Sequence, residues 1–231
     1  MRKYTGKIMQ FTLVSLVVIC LFFISTTAHK SQAALTMTTA FDTIDAWQEL
    51  AVATLAVGNS EDISGSYATI LYIEAAYTGA AAQAGCDVIV EISYATADDW
   101  IQLTKFKGKA VTPGLDDLDE AGNTLAGDTT ITTTAGASDA FDVVGQTWFI
   151  LDTTVAESEV LRTKSWTTQT ATLVQDAKYA HTDAEVISDA VDQWAIKIPF
   201  GAAFVHVLVN NSDADATMHW RSYCSKVSAL N

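Results

Sequence analysis

Proline is nearly missing: Pro113 and Pro199 are the only two in 231 residues. Nothing reads as a long Pro-rich linker or a disordered tail. Glu and Lys are sparse beside Thr, Ala, Val and Asp, which disfavours a helix-rich protein. Histidine is scarce too. Beyond residue 34 only His181, His206 and His219 occur, and none stands in a catalytic motif. There is no HExxH, no CxxC pair, no P-loop, no Rossmann glycine pattern and no G-x-S-x-G elbow. Nucleophilic catalysis needs a base beside Ser or Cys. His206 lies within a strand pattern and His181 and His219 flank strands or turns, where packing or a local hydrogen bond accounts for each. The expectation is a protein that is not an enzyme.

Positive charge is also short, with 13 Lys and Arg against 27 Asp and Glu. Four of those bases, Arg2, Lys3, Lys7 and Lys30, fall in the first 34 residues, and none of the acids do. The remainder carries nine bases against 27 acids, a net charge of −18. Such a surface repels nucleic acid and anionic headgroups, and it repels other copies of itself. Close assembly would need bound cations or strong apolar contacts.

Residues 1–34 read as a secretory signal peptide. Arg2, Lys3 and Lys7 form a basic start, Phe11 to Ile24 an apolar run, and Ser31-Gln32-Ala33-Ala34 a small-residue cleavage site, with cleavage after Ala33 or Ala34. A transmembrane anchor is the alternative, but the run of 14 falls short of the ~20 apolar residues a span needs. Lipidation at Cys20 is disfavoured because Ile19 precedes it and Leu21-Phe22-Phe23 follow. The stretch Phe11-Thr12-Leu13-Val14-Ser15-Leu16-Val17-Val18 resembles the start of a type IV pilin. Pilins carry Gly before that Phe and Glu at the fifth mature position; Gln10 and Ser15 stand there instead. The chain is thus expected to be secreted or at the cell surface, with no membrane contact after signal removal.

Cys20 would leave with the signal, so Cys86 and Cys224 remain. An even pair in an exported chain is compatible with one disulfide, and two buried free thiols are the alternative. Alternation points both inward: Cys86 opens Cys86-Val88-Val90-Ile92, and Met218, Trp220 and Cys224 share a parity.

Period-two segments dominate after residue 45 and predict strands near 47–57, 66–78, 86–96, 99–106, 146–152, 158–166, 170–175, 192–198, 203–210 and 216–227. Turn signals at Gly58-Asn59-Ser60, Gly79, Gly85, Asp98-Asp99 and Asn210-Asn211-Ser212-Asp213 separate several of them. The pattern predicts an all-β chain built as an antiparallel, jelly-roll-like sandwich from 35–106 plus 190–231. Residues 107–144, rich in Gly, Thr, Asp and Ala, read as a long loop with one strand near 129–134. Residues 145–189 read as a small β-meander subdomain. Its segments Thr147-Trp148-Phe149-Ile150-Leu151, Thr170-Ala171-Thr172-Leu173-Val174 and Ala180-His181-Thr182-Asp183-Ala184 resemble β-meander modules of phage tail and bacterial surface proteins. That resemblance implies assembly or attachment rather than chemistry.

Three sets of residues are candidates for binding. Asp117, Asp119, Gly122 and Asp128 fall at positions one, three, six and twelve of an EF-hand-like loop, which points to calcium, although Ala121 fails position five. A solvated acidic turn is the competing reading. Asn211, Asp213 and Asp215 form a second alternating oxygen set that equally well makes a turn. Trp100, Trp148, Trp166, Trp194 and Trp220 would stack on sugar rings if exposed and pack the core if not. In the strand 203–210, Val205, Val207 and Val209 face one way while Phe204, His206 and Leu208 face the other, so the latter face requires a cover. The sequence therefore points to self-association at Phe204, His206 and Leu208, in an exported structural or adhesive subunit of a filament, sheath or surface layer. The alternative is a secreted carbohydrate-binding module.

Overall fold

A computed structural model describes residues 37–79, 81–119, 124–134, 145–167 and 169–229. Residues 1–34, for which a signal peptide is expected, and Ala121 and Gly122 of the expected calcium loop lie outside the described residues. Among those described, the regular elements are β strands and one 3₁₀ turn, Val155–Glu157. The chain is all-β, as the alternation predicts. Two sheets face each other. The first contains β1 (Met37–Leu50), β15 (Met218–Ala229), β4 (Ala68–Tyr77) and β13 (Val191–Ile198), in the order β1-β15-β4-β13. The second has β2 (Leu55–Val57), β14 (Phe204–Asn211), β5 (Cys86–Ser93) and β6 (Ile101–Lys107), in that order, with the short β3 (Glu61–Asp62) also pairing β14.

Alternation decides which side chains meet between the sheets. Leu71, Ile73, Ala75 and Tyr77 of β4 and Met218, Trp220 and Cys224 of β15 point inward from the first sheet. Cys86, Val88, Val90 and Ile92 of β5 and Val205, Val207 and Val209 of β14 answer them from the second. Nearly all are fully buried, and each large one contributes about 1.5–3 kcal/mol of transfer free energy. Fourteen-residue β1 ends at Leu50 because the chain turns there, with Ala53 at positive φ, before β2 crosses to the second sheet.

Between β6 and β13 the chain builds a third sheet of six strands, most of them short. It runs β7 (Leu115–Asp117), β12 (Val186–Ser188), β9 (Thr147–Leu151), β10 (Glu159–Thr167), β11 (Thr170–Leu173) and β8 (Thr130–Thr132). A Leu118–Thr133 bridge joins the two outer strands, so the sheet curls back on itself. The curl encloses Leu118, Ile131, Trp148, Ile150, Leu161, Ala171, Leu173 and Ile187. Residues 107–144, expected as a long loop with one strand near 129–134, thus supply two of the six strands: β8 at the expected place and β7, which is not expected. Its three-residue length is too short for period-two alternation to register. The neighbouring side chain, Phe149, points the other way, packing with Trp47 and Ala76 of the sandwich. Alternation along β9 therefore fills the small core with Trp148 and docks that core on the first sheet with Phe149.

Candidate functional site

The outer face of the first sheet carries the candidate binding site. Along β15 the residues between the buried Met218, Trp220, Ser222 and Cys224 are His219, Arg221 and Tyr223; His219 is buried beside Phe149, and the alternation that fills the core lays Arg221 and Tyr223 on the outside. Tyr72 and Glu74 of β4 lie beside them in register: Arg221 pairs with Glu74 and Tyr223 with Tyr72. The Tyr72 and Tyr223 rings stack with centroids 5.0 Å apart and planes 11° from parallel. Arg221 lies over the Trp47 ring at 4.8 Å and over Tyr223 at 5.3 Å. Its Nε donates to Glu74 Oε2, and Gln193 Nε2 donates to Glu74 Oε1 at 2.6 Å. Both Glu74 oxygens are therefore engaged. Burial and the Glu74 charge push the Tyr223 hydroxyl above the ordinary tyrosine range, so it stays a neutral donor.

Of these, Trp47, Arg221 and Tyr223 line a groove of about 280 Å³ that Phe41, Asp42, Lys178 and Tyr179 complete. Phe41 is 71% exposed at its rim. A second depression beside it is lined by Tyr72, Glu74, Gln193 and Tyr223. Fixed aromatic planes, one guanidinium and several amide and carboxylate groups suit recognition of a polar, ring-containing ligand by stacking and hydrogen bonds. The sequence reading missed this face because it weighed tryptophans. The usable signal was the outward parity of Arg221 and Tyr223.

The tryptophans are packed rather than displayed. Trp148 and Trp220 are fully buried, Trp166 packs edge-on against Trp148 at 5.2 Å, and Trp194 packs against the sandwich core beside Phe106. Trp100 stacks on His206 at 3.7 Å, and His206 Nε2 lies 2.7 Å from Glu91. His206 is thus covered within the chain. Leu208 is half-buried: it sits between Val57 of β2 and Ile89 of β5, and Val57 is 64% exposed. Phe204 is half-buried. The face opposite the three buried valines is therefore covered by the chain's own Trp100 at His206 and half-open at Phe204 and Leu208 on either side.

The acidic sets resolve differently. Asp117 and Asp119 project from β7 and its continuation, exposed, on either side of the buried Leu118. Asp128 turns back, and its Oδ2 accepts from Leu125 N at 2.7 Å. Strand geometry aims the first two outward while Asp128 serves its own turn, so the three do not converge as a calcium loop would require. Asn211 and Asp213 are committed to backbone. Asn211 Nδ2 donates to the carbonyls of Leu50, Ala51 and Ala216. Asp213 accepts from the N–H groups of Ala84, Asp215 and Ala216, which hold its carboxyl below the usual range.

Cys86 and Cys224 are both buried free thiols, not the expected disulfide. Cys86 meets Tyr77, whose strand partner is Met218. Cys224 lies six residues further along β15, about 20 Å at ~3.3 Å per residue, beyond any bridging distance.

His181 occupies a cage in the third sheet. It is fully buried, as are Asp152, Glu159 and Glu185 around it. Nε2 lies 2.7 Å from Glu159 Oε1; Nδ1 lies 3.0 Å from Glu185 Oε2 and 3.2 Å from Asp152 Oδ2. Burial disfavours a charged ring, yet the Glu159 hydrogen bond and the Glu159 and Glu185 charges outweigh it and raise the ring's proton affinity. His219 is the opposite case: burial lowers it, and it packs near the Phe149 ring at 5.6 Å.

No protein family matches the chain, and no curated protein matches it in sequence. Among solved structures, the K1 adhesin domain of Lys-gingipain from Porphyromonas gingivalis W83 is similar at 10% identity and a TM-score of 0.32. That match covers 83% of this chain and 98% of that one. The K3 adhesin domain of the same protein gives 9% and 0.31, over 74% of this chain and 62% of that one. The Yersinia pseudotuberculosis-derived mitogen gives 8% and 0.22, over 85% and 88%. At these scores the likenesses carry no weight for function.

Proposed function

We propose that this chain is an exported structural or adhesive domain that works at the cell surface by self-association. The observation that carries this reading is the apolar row Val57–Leu208–Ile89 across the outer face of the second sheet, ending at the edge strand β2. Leu55 and Val57 on that edge are 53% and 64% exposed. An edge strand offers unpaired backbone groups to a neighbour, and the apolar row offers area to bury. Together they supply the attraction that a protein of charge −18 without its first 34 residues would need for close assembly. Export rests on the basic start, apolar run and small-residue ending of residues 1–34. Filament, sheath and surface layer all satisfy this reading. Light scattering and electron microscopy of the chain from Leu35 onward test it: ordered polymers support it, and a monomer at all concentrations overturns it.

The groove on the first sheet favours a second reading, a secreted module that binds polysaccharide. Near-parallel Tyr72 and Tyr223 beside Arg221 and Gln193 form the stacking platform it needs. Glycan-array binding by a monomeric chain would select this reading over the first.

A further inference from the structure

The cage around His181 is built differently from the rest of the polar interior. Three carboxylates surround one imidazole, and all four groups are buried. Each carboxylate has one oxygen anchored by the chain. Asp152 Oδ1 accepts from Thr154 N at 2.6 Å, and Glu185 Oε1 accepts from the Thr182 hydroxyl at 2.8 Å. Glu159 accepts from Lys178 N at 3.0 Å. The remaining oxygens of Asp152 and Glu185 are aimed together at Nδ1 of His181, and the three atoms lie within 4.8 Å of one another. Glu159 holds the opposite nitrogen, Nε2.

This is the arrangement of a metal-binding histidine. A carboxylate behind one ring nitrogen fixes the tautomer and turns the other lone pair toward the ion. Ligands of a tetrahedral ion bound at about 2.0–2.2 Å sit roughly 3.3–3.6 Å apart, and the two Nδ1–oxygen separations, 3.0 and 3.2 Å, are within a few tenths of an ångström of that spacing. Charge points the same way. An imidazolium leaves three carboxylates two charges in excess; a divalent ion on a neutral ring leaves one. A buried uncompensated charge is costly, so the ion is the better counter-charge.

A separate observation supports a further ligand position. Thr124 faces His181 across an antiparallel bridge, so their side chains share one face. The Thr124 hydroxyl is buried and has no hydrogen-bond partner.

We propose that Asp152 Oδ2, His181 Nδ1 and Glu185 Oε2 bind a divalent transition-metal ion, with zinc the best match to one imidazole and two carboxylates. Glu159 orients the ring. The ion ties the end of β9 to the turn before β12, so its role is structural. It is a different site from the calcium loop sought at Asp117, Asp119 and Asp128, and imidazole selects against calcium.

The test uses the chain from Leu35 onward, without a polyhistidine tag, stripped by chelator and titrated with Zn²⁺ at pH 7.5. The expected result is one zinc per chain, with the melting temperature raised by about 5 °C at saturating ion. The double variant Asp152→Asn, Glu185→Gln keeps the shapes and most anchoring hydrogen bonds, and should lose at least 100-fold in affinity. Anomalous diffraction at the zinc edge from the unsubstituted protein tests the position, whether or not the variant folds. A peak within bonding distance of the three named atoms sustains the proposal. No stoichiometric zinc, unchanged affinity in a folded double variant, or a peak elsewhere overturns it and leaves the cage closed by a proton alone.

Discussion

Tyr77 donates its hydroxyl hydrogen to Cys86 Sγ over 3.2 Å, deep between the two sheets. Burial raises the Cys86 thiol to about 11, and burial raises Cys224 likewise to about 11. The thiolate is the reactive form, so neither should react in the folded protein near neutral pH. In the chain from Leu35 onward, a thiol reagent should titrate none before denaturation and two after it. A native reading of one or two, or a denatured reading of zero without reductant, would contradict the packing described.

Gly108 sits against the same pair. A Cβ there would lie 2.3 Å from the Tyr77 hydroxyl oxygen and 3.0 Å from Cys86 Sγ. Gly108→Ala should therefore cost about 1–3 kcal/mol, as overpacking of a filled interior does. Urea unfolding measures it, and a shift in midpoint below a few tenths of a kcal/mol would show that the hydroxyl moves aside freely.

Leu208→Asp and Val57→Asp each place a charge in the apolar row on the second sheet's outer face. Both should yield folded monomers where the parent chain polymerises, because the lost apolar burial was worth roughly 1.5–3 kcal/mol per side chain. Circular dichroism and light scattering read the two properties separately. If Leu208→Asp unfolds the protein, the row is intramolecular core; if both variants still polymerise, the contact lies elsewhere.

Tyr223→Ala removes one plane of the Tyr72–Tyr223 stack and opens the groove floor. If polysaccharide is the ligand, affinity should fall about 10-fold, in keeping with the ~0.5–1.5 kcal/mol that aromatic pairs add beyond area. Isothermal titration with the best array glycan checks this. Binding left intact would move the ligand off this face.

Asp213 makes stability depend on pH with a definite sign. Its carboxyl is held below its ordinary value by backbone hydrogen bonds, from Asp215 foremost. The stabilisation is present above the unfolded carboxylate value, near 3.9. It is lost as pH falls through the lower folded one. Asp213→Ala should cost about 3 kcal/mol at neutral pH, since it strips acceptors from three N–H groups. The variant should also lose less stability than the parent between pH 4 and pH 2. Equal acid sensitivity would place the depressed group elsewhere.

Much of this architecture was legible in the sequence. The alternation of Val205, Val207 and Val209, of Cys86 through Ile92 and of Met218 with Trp220 marked the strands of the sandwich and their inward faces, because a period of two is a local property. Several features were not. Strand β7 is three residues long and carries no period. The packing of Trp100 on His206 joins residues more than a hundred positions apart. The distance between Cys86 and Cys224 follows from strand register alone.

The sequence by itself determined the all-β class, the inward face of each long strand and the acidic surface, since all three follow from residue types and their local spacing. Tertiary structure alone decided which oxygens converge. Asp117 and Asp119, adjacent in a motif, are exposed on a strand. Asp152, His181 and Glu185, with no motif among them, are brought within 4.8 Å of one another because β9 and the turn before β12 are neighbours in a curled sheet. Convergence depends on how strands pair, and pairing is settled by the packing of Trp148, Ile150 and Ile187 inside that curl rather than by the spacing of the residues that meet there.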